Sequence, residues 1–139
     1  VMLPIHTHHL LVADDDPNLL AAYVQYFELH GYDVRAAQDG ADALTEYSRW
    51  FPALVILDIQ MPRLDGRAVA REIRRFARPS APLLLAVSGL WSPSERADSL
   101  KAGFDHHFAK PADLSVILAI VASRSRIGDP DIARTQSRY

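Results

Sequence analysis

Three short runs in the chain are almost wholly apolar: Leu10 to Ala13, Ala53 to Leu57 and Leu83 to Val87. None alternates between apolar and polar positions. A strand covered on both faces reads this way, as in a parallel sheet. Val34 to Ala37 and His106 to Ala109 are weaker strand candidates. Helical patterns lie between these runs. Leu20, Tyr23, Val24 and Phe27 form one apolar stripe at i, i+3, i+4, i+7. Asp16 followed by Pro17 is a start signal for that helix, and Gly31 a stop. Asp39 is placed to cap a second helix with Ala43, Leu44 and Tyr47 facing inward. Val69, Ile73 and Phe76 mark a third. Pro93 to Ala102 gives a fourth, short and weakly amphipathic, and Leu114, Ile117, Leu118 and Val121 mark a fifth. Strand then helix, five times over, predicts an open α/β sheet with helices on both faces.

The two ends read differently. Val1 to His9 and Ser125 to Tyr139 lack clean periodicity. The expected layout is a tail over 1–8, one domain over 9–124, and a tail or linker stub over 125–139. A length of 139 residues suits one domain with a real core. With 49% hydrophobic and 23% charged residues, the chain is neither disordered nor fibrous. The absence of cysteine excludes disulfide frameworks and thiolate metal sites. A net charge of −2 argues against a broad basic surface for nucleic acid. The longest apolar run is too short to insert in a membrane, and the start lacks a basic-then-apolar leader. The expected address is the cytoplasm.

Open α/β sheets bind ligands at the carboxyl ends of their strands. Strand one ends in Asp14, Asp15 and Asp16, strand three in Asp58, strand four in Ser88, and strand five in Lys110–Pro111. If strands one and three are neighbours, the carboxylates converge. Clustered carboxylates repel one another, and a hard divalent cation removes that cost. Asp15 and Asp58 suit direct Mg²⁺ ligation, with Asp14 direct or through water. Asp58, alone at the tip of a central strand, also suits a nucleophile that forms an aspartyl phosphate. A transferring phosphoryl group spreads charge over three oxygens. Mg²⁺, the Lys110 ammonium and the Ser88 hydroxyl could each take one.

The segments VADDDP (Val12 to Pro17), VILDIQMPRLDG (Val55 to Gly66), AVSG (Ala86 to Gly89) and KP (Lys110, Pro111) resemble the receiver domain of two-component response regulators. The likeness covers about residues 9 to 124. It implies a flavodoxin-like, doubly wound, five-stranded parallel sheet in the chemotaxis-regulator order 2-1-3-4-5. It implies that Asp58 takes a phosphoryl group from a phosphohistidine on a sensor histidine kinase or a histidine phosphotransfer protein. The domain would then catalyse only its own phosphorylation and dephosphorylation, and is not otherwise an enzyme. Asp14, Asp15, Asp58 and the backbone carbonyl of Gln60 match the Mg²⁺ ligands, with Mn²⁺ or Ca²⁺ as substitutes. Ser88 matches the switch hydroxyl and Lys110 the site lysine, and the Lys110–Pro111 bond is expected to be cis. The donor is expected near helix one, and a downstream protein on the face of helix four, strand five and helix five. Neither direct nucleic-acid binding nor membrane insertion is implied. The chain would be a stand-alone regulator or a segment of a larger regulator or hybrid sensor kinase. One departure stands out: where the family has a rotating Tyr or Phe, three residues before the lysine, this chain has His107, which is smaller and can titrate.

Plainer readings compete at several positions. Asp16 is assigned to capping, and Asp65 with Gly66 to a turn or cap. Ser88 and Lys110 alone would be an ordinary strand-end hydroxyl and a solvated charge. Trp91 is either packed on helix four or an exposed aromatic on a partner surface. His6, His8 and His9 are read as a solvated start before they are read as a metal site, and His106 as structural or surface. Arg71, Arg74, Arg75 and Arg78 are read as a solvated helix face rather than a nucleic-acid stripe. Two rival functions remain. A phosphatase with an aspartyl intermediate would carry a second aspartate where Gln60 stands. A degenerate docking scaffold would have lost an acidic ligand, the acceptor or the lysine, all of which are present.

Overall fold

The computed structural model of the chain describes residues 8–76 and 81–127. Five strands, β1 (His9–Ala13), β2 (Asp33–Ala37), β3 (Leu54–Asp58), β4 (Leu83–Ser88) and β5 (His106–Ala109), alternate with five helices. The helices are α1 (Pro17–Leu29), α2 (Gly40–Trp50), α3 (Gly66–Arg75), α4 (Pro93–Ala102) and α5 (Leu114–Ile127). All strand pairs are parallel and the order is β2-β1-β3-β4-β5, a flavodoxin-like sheet.

The three central strands are the three apolar runs, and both of their faces are covered. Leu11, Val55, Leu57, Leu84 and Ala86 pack with Ala43, Tyr47, Val69 and Ile73 of α2 and α3. Leu10, Val12, Leu54, Ile56, Leu85 and Val87 pack with Tyr23, Phe27, Ile117 and Val121 of α1 and α5. A strand alternates its side chains between two faces, so two buried faces demand unbroken apolar sequence. β2 and β5 lie at the sheet edges and keep exposed positions, which explains their weaker signals.

Register carries the strand ends to one edge. Ala13 is level with Leu57, Asp58 with Val87, and Ser88 with Ala109. The next residues after β1 and β5, Asp14 and Lys110, therefore leave the sheet on the edge that carries Asp58 and Ser88. Helix starts on this edge are capped. The Asp16 side chain accepts from the Asn18 and Leu19 amides, Asp39 from Asp42, Asp65 from Ala68, and Ser92 from Glu95. These bonds satisfy otherwise orphaned helix N–H groups.

The structure departs from the sequence reading at four places. Phe76 does not face inward: α3 stops at Arg75, the backbone turns extended, and the ring is 45% exposed. Helix α5 runs on to Ile127, past the expected boundary at 124. His9 is no part of a solvated start. It opens β1 and stacks on Trp50, with ring centroids 4.2 Å apart. The arginines of α3 do not form one solvated face. Arg74 donates to the carbonyls of Gly103 and Pro82 and to Asp105 Oδ2, tying α3 to the chain just before β4 and just before β5. Arg71 is exposed and Arg75 pairs with Glu72, while Arg78 and His6 lie outside the described residues.

Candidate functional site

The strand-end carboxylates converge. Asp14, Asp15 and Asp58 each offer an oxygen within 4.8 Å of the others. Asp14 and Asp58 are buried, 2% and 4% exposed, and Asp15 is open to solvent. Asp14 is fixed from two sides: its Oδ1 accepts from the Asp16 amide at 2.9 Å, and its Oδ2 lies 3.0 Å from Lys110 Nζ. Lys110 Nζ is also 3.2 Å from Asp58 Oδ2. The Gln60 amide donates to Asp58 Oδ1 at 3.3 Å. Lys110 is placed by its own backbone, whose N–H donates to the Ser88 carbonyl, and the bond to Pro111 is cis.

These charges shape one another. Burial, then the Asp14 charge, pushes the Asp58 carboxyl up to about 6, against the pull of Lys110 and the Gln60 amide. Burial would lower Lys110, but the two aspartates outweigh it and hold the ammonium above its ordinary value. Three carboxylates around one cation are under-neutralised. Two buried oxygen donors beside a solvent-facing one fit a hard divalent ion that keeps waters.

Gly66 sets how closely α3 approaches this site. A Cβ there would lie 2.3 Å from the Asp58 carbonyl oxygen, so only glycine lets the helix start this near. The Gly66 amide donates to the Ile59 carbonyl at 2.8 Å. Asp65 acts as the cap, in keeping with its reading as a structural residue.

Comparison with known proteins agrees with this fold. The response regulator receiver domain family matches residues 10–122. The chain belongs to the response regulator receiver domain family. It is 37% identical over 122 residues to the response regulator MprA of Mycobacterium sp. strain KMS, covering 88% of this chain and 52% of that protein. The chain thus spans about half the length of the curated relatives it matches. Among solved structures, it resembles the receiver domain of the Francisella response regulator 1452, with a TM-score of 0.80 and 26% identity, covering 87% of this chain and 98% of that one. It also resembles a chain in the CheX–CheY–BeF3–Mg²⁺ complex from Borrelia burgdorferi, with a TM-score of 0.74 and 28% identity over 83% and 87% of the two chains.

Ser88 and His107 lie on the β4–β5 side of the sheet. Ser88 is fully buried, and its Oγ accepts from the Leu90 amide at 3.0 Å. His107 is buried and turned inward. Its Nε2 is 2.7 Å from the Leu90 carbonyl and its Nδ1 is 2.8 Å from Ser99 Oγ. A carbonyl only accepts, so Nε2 carries the proton and Nδ1 of the neutral ring accepts from the Ser99 hydroxyl. Arg67 Nε donates to the same hydroxyl, while its Nη2 holds Glu95. Burial first holds the imidazole below its ordinary value. The Leu90 carbonyl and Glu95 oppose that trend, while Arg67 and Arg96 add to it. Trp91 is 67% exposed, which favours the exposed-aromatic reading over one packed on α4.

Sequence reasoning missed Leu90, Ser99 and Arg67. A signal for Ser99 existed: in α4 only Ser99 and Ala102 are buried, so a serine occupies the core-facing position. Tyr23 was read only as core. Its ring is buried, and its phenol is held above its ordinary value by burial, then by Asp14 and Asp58. It lines an apolar crevice of about 360 Å³ with Leu19, Lys110, Pro111, Ala112 and Leu114. Among the described residues, no helix is long and apolar enough to cross a membrane. His8 and His9 join no group of three metal-ligating side chains among those residues, where the acidic cluster is the group found.

Proposed function

We propose that this receiver is phosphorylated on Asp58 in a two-component phosphorelay, with Mg²⁺ held by Asp14, Asp15, Asp58 and the Gln60 carbonyl. The observation that carries the reading is the convergence of three carboxylates within 4.8 Å, with one ammonium bridging Asp14 and Asp58. The likeness to a chain in a CheX–CheY–BeF3–Mg²⁺ complex supports it.

An ionised Asp58 oxygen attacks the phosphorus of a phosphohistidine on a sensor kinase or a histidine phosphotransfer protein. The new P–O bond forms as the P–N bond breaks, and the electron pair of the broken bond stays with the donor imidazole. Mg²⁺ supplies charge neutralisation for the phosphoryl oxygens. Lys110 Nζ leaves its bridge between the aspartates and pairs with one phosphoryl oxygen, and the Ser88 hydroxyl donates to another. The donor docks beside α1, where the crevice under Tyr23 and Leu19 offers an apolar seat next to Lys110. The output surface is α4–β5–α5, with Trp91 as an exposed anchor. The module acts in the cytoplasm, alone or within a larger regulator, and performs no chemistry beyond its own phosphorylation and dephosphorylation.

The test is intact mass after incubation with Mg²⁺ and acetyl phosphate. A phosphate adduct is expected for the native chain and not for Asp58→Asn. An adduct of equal yield in that variant overturns the assignment.

A further inference from the structure

Leu90 carries two bonds through one residue's backbone. Its amide holds Ser88 Oγ at 3.0 Å, and its carbonyl takes the His107 Nε2 proton at 2.7 Å. Behind the imidazole, Ser99 Oγ closes on Nδ1 at 2.8 Å, and Arg67 Nε closes on Ser99 at 3.3 Å. The chain of contacts therefore runs from α3 through α4 and β5 to the Ser88 loop. A Phe or Tyr ring in place of His107 has no nitrogen to bond both the carbonyl and the serine.

We propose that His107 is a positioning residue that latches the Ser88–Leu90 loop in its neutral Nε2–H form, and that protonation of its ring releases the loop. The proposal rests on the reading of Ser88 as a phosphoryl ligand, and it adds a proton-dependent control to that site.

The latch needs a neutral ring for two reasons. Nδ1 accepts from Ser99; a protonated ring has two donors and no acceptor, so the Ser99 hydroxyl must turn away. The added charge would also be buried among cations. Among the described residues, Arg67 from α3 and Arg96 from α4 act on the ring as cations, and Glu95, the anion that acts on it, is already bound to Arg67 at 2.7 Å. A ring that swings out to water keeps its ordinary affinity for protons. The latched form is therefore fully favoured above about pH 6.5, the ordinary value, and is progressively lost below it. When the ring leaves, the Leu90 carbonyl loses its donor, and the amide of the same residue, one peptide plane earlier, is freed to leave Ser88.

The test follows the latch directly and needs no phosphate. Amide hydrogen exchange at Leu90 and the imidazole ¹⁵N shifts of His107 are measured from about pH 8 to about pH 5. The background is full-length Asp58→Asn, which removes the titration of Asp58. Protection at Leu90, corrected for intrinsic exchange, is expected to fall several-fold as the pH drops. The ¹⁵N shifts should report the Nε2–H tautomer at the upper end. The added His107→Phe change should leave Leu90 protection independent of pH. If that variant does not fold, Ser99→Ala serves instead, and should weaken Leu90 protection already at neutral pH. Protection that stays constant while His107 titrates, or that falls equally in the Phe variant, overturns the proposal. Neither outcome bears on whether Asp58 accepts phosphate, which the mass measurement decides separately.

Discussion

Lys110 Nζ bridges Asp14, at 3.0 Å, and Asp58, at 3.2 Å. The lysine is thus the internal counterion of a buried carboxylate pair. Removing it leaves two acids facing each other with desolvation uncompensated. Lys110→Ala should lower metal-free stability at neutral pH by about 1–2 kcal/mol. Asp58→Asn should raise stability, because it relieves the same repulsion. Urea midpoints at unchanged m-value check both signs.

The raised Asp58 carboxyl makes metal-free stability depend on pH. Its folded value of about 6 lies above the ordinary 3.8. The protonated group's contribution is fully present below about pH 3.8 and is lost as pH rises through about 6. The loss should be on the order of 1–2 kcal/mol after allowance for solvent screening. Mg²⁺ should therefore stabilise the chain more at pH 7.5 than at pH 5. Thermal midpoints with and without Mg²⁺ at those two pH values test this; equal shifts would contradict it.

Gly66 lets α3 begin against the Asp58 backbone. The added methyl of Gly66→Ala would lie 2.3 Å from the Asp58 carbonyl oxygen. The substitution should cost about 1–3 kcal/mol and displace the acceptor strand tip. Acetyl phosphate uptake should drop along with the urea midpoint.

Arg74 spends its guanidinium on two carbonyls and one carboxylate. Arg74→Ala removes a donor from both carbonyls, while Asp105 Oδ2 keeps the Leu84 amide, and should cost about 2–3 kcal/mol. Arg74→Lys should recover little, since one ammonium cannot span all three. Chemical denaturation of the two variants provides the comparison.

The legible parts of this protein are those written in local pattern. Leu10 to Ala13, Ala53 to Leu57 and Leu83 to Val87 are apolar on both faces, so their central place in a parallel sheet could be read directly. Asp16, Asp39 and Asp65 sit where caps belong. The convergence of Asp14, Asp15, Asp58 and Lys110 is legible because each ends or follows a strand and parallel strands end on one edge. What stayed hidden depends on contacts between distant segments. Arg74 looks like any solvated arginine until Gly103 and Pro82 are beside it. Phe76 fits the α3 stripe by spacing, but the helix ends one residue earlier. The tie from His107 to Leu90 and Ser99 spans three elements, and no one segment's periodicity encodes it.

The most direct test of the central claim is to map the phosphoryl group. The chain is incubated with Mg²⁺ and acetyl phosphate, the adduct is trapped, and the modified peptide is sequenced by mass spectrometry. Modification at Asp58 that vanishes when Mg²⁺ is chelated is the predicted result. Modification at Asp14, Asp15 or a histidine, or undiminished labelling of Asp58 without the metal, would contradict the account.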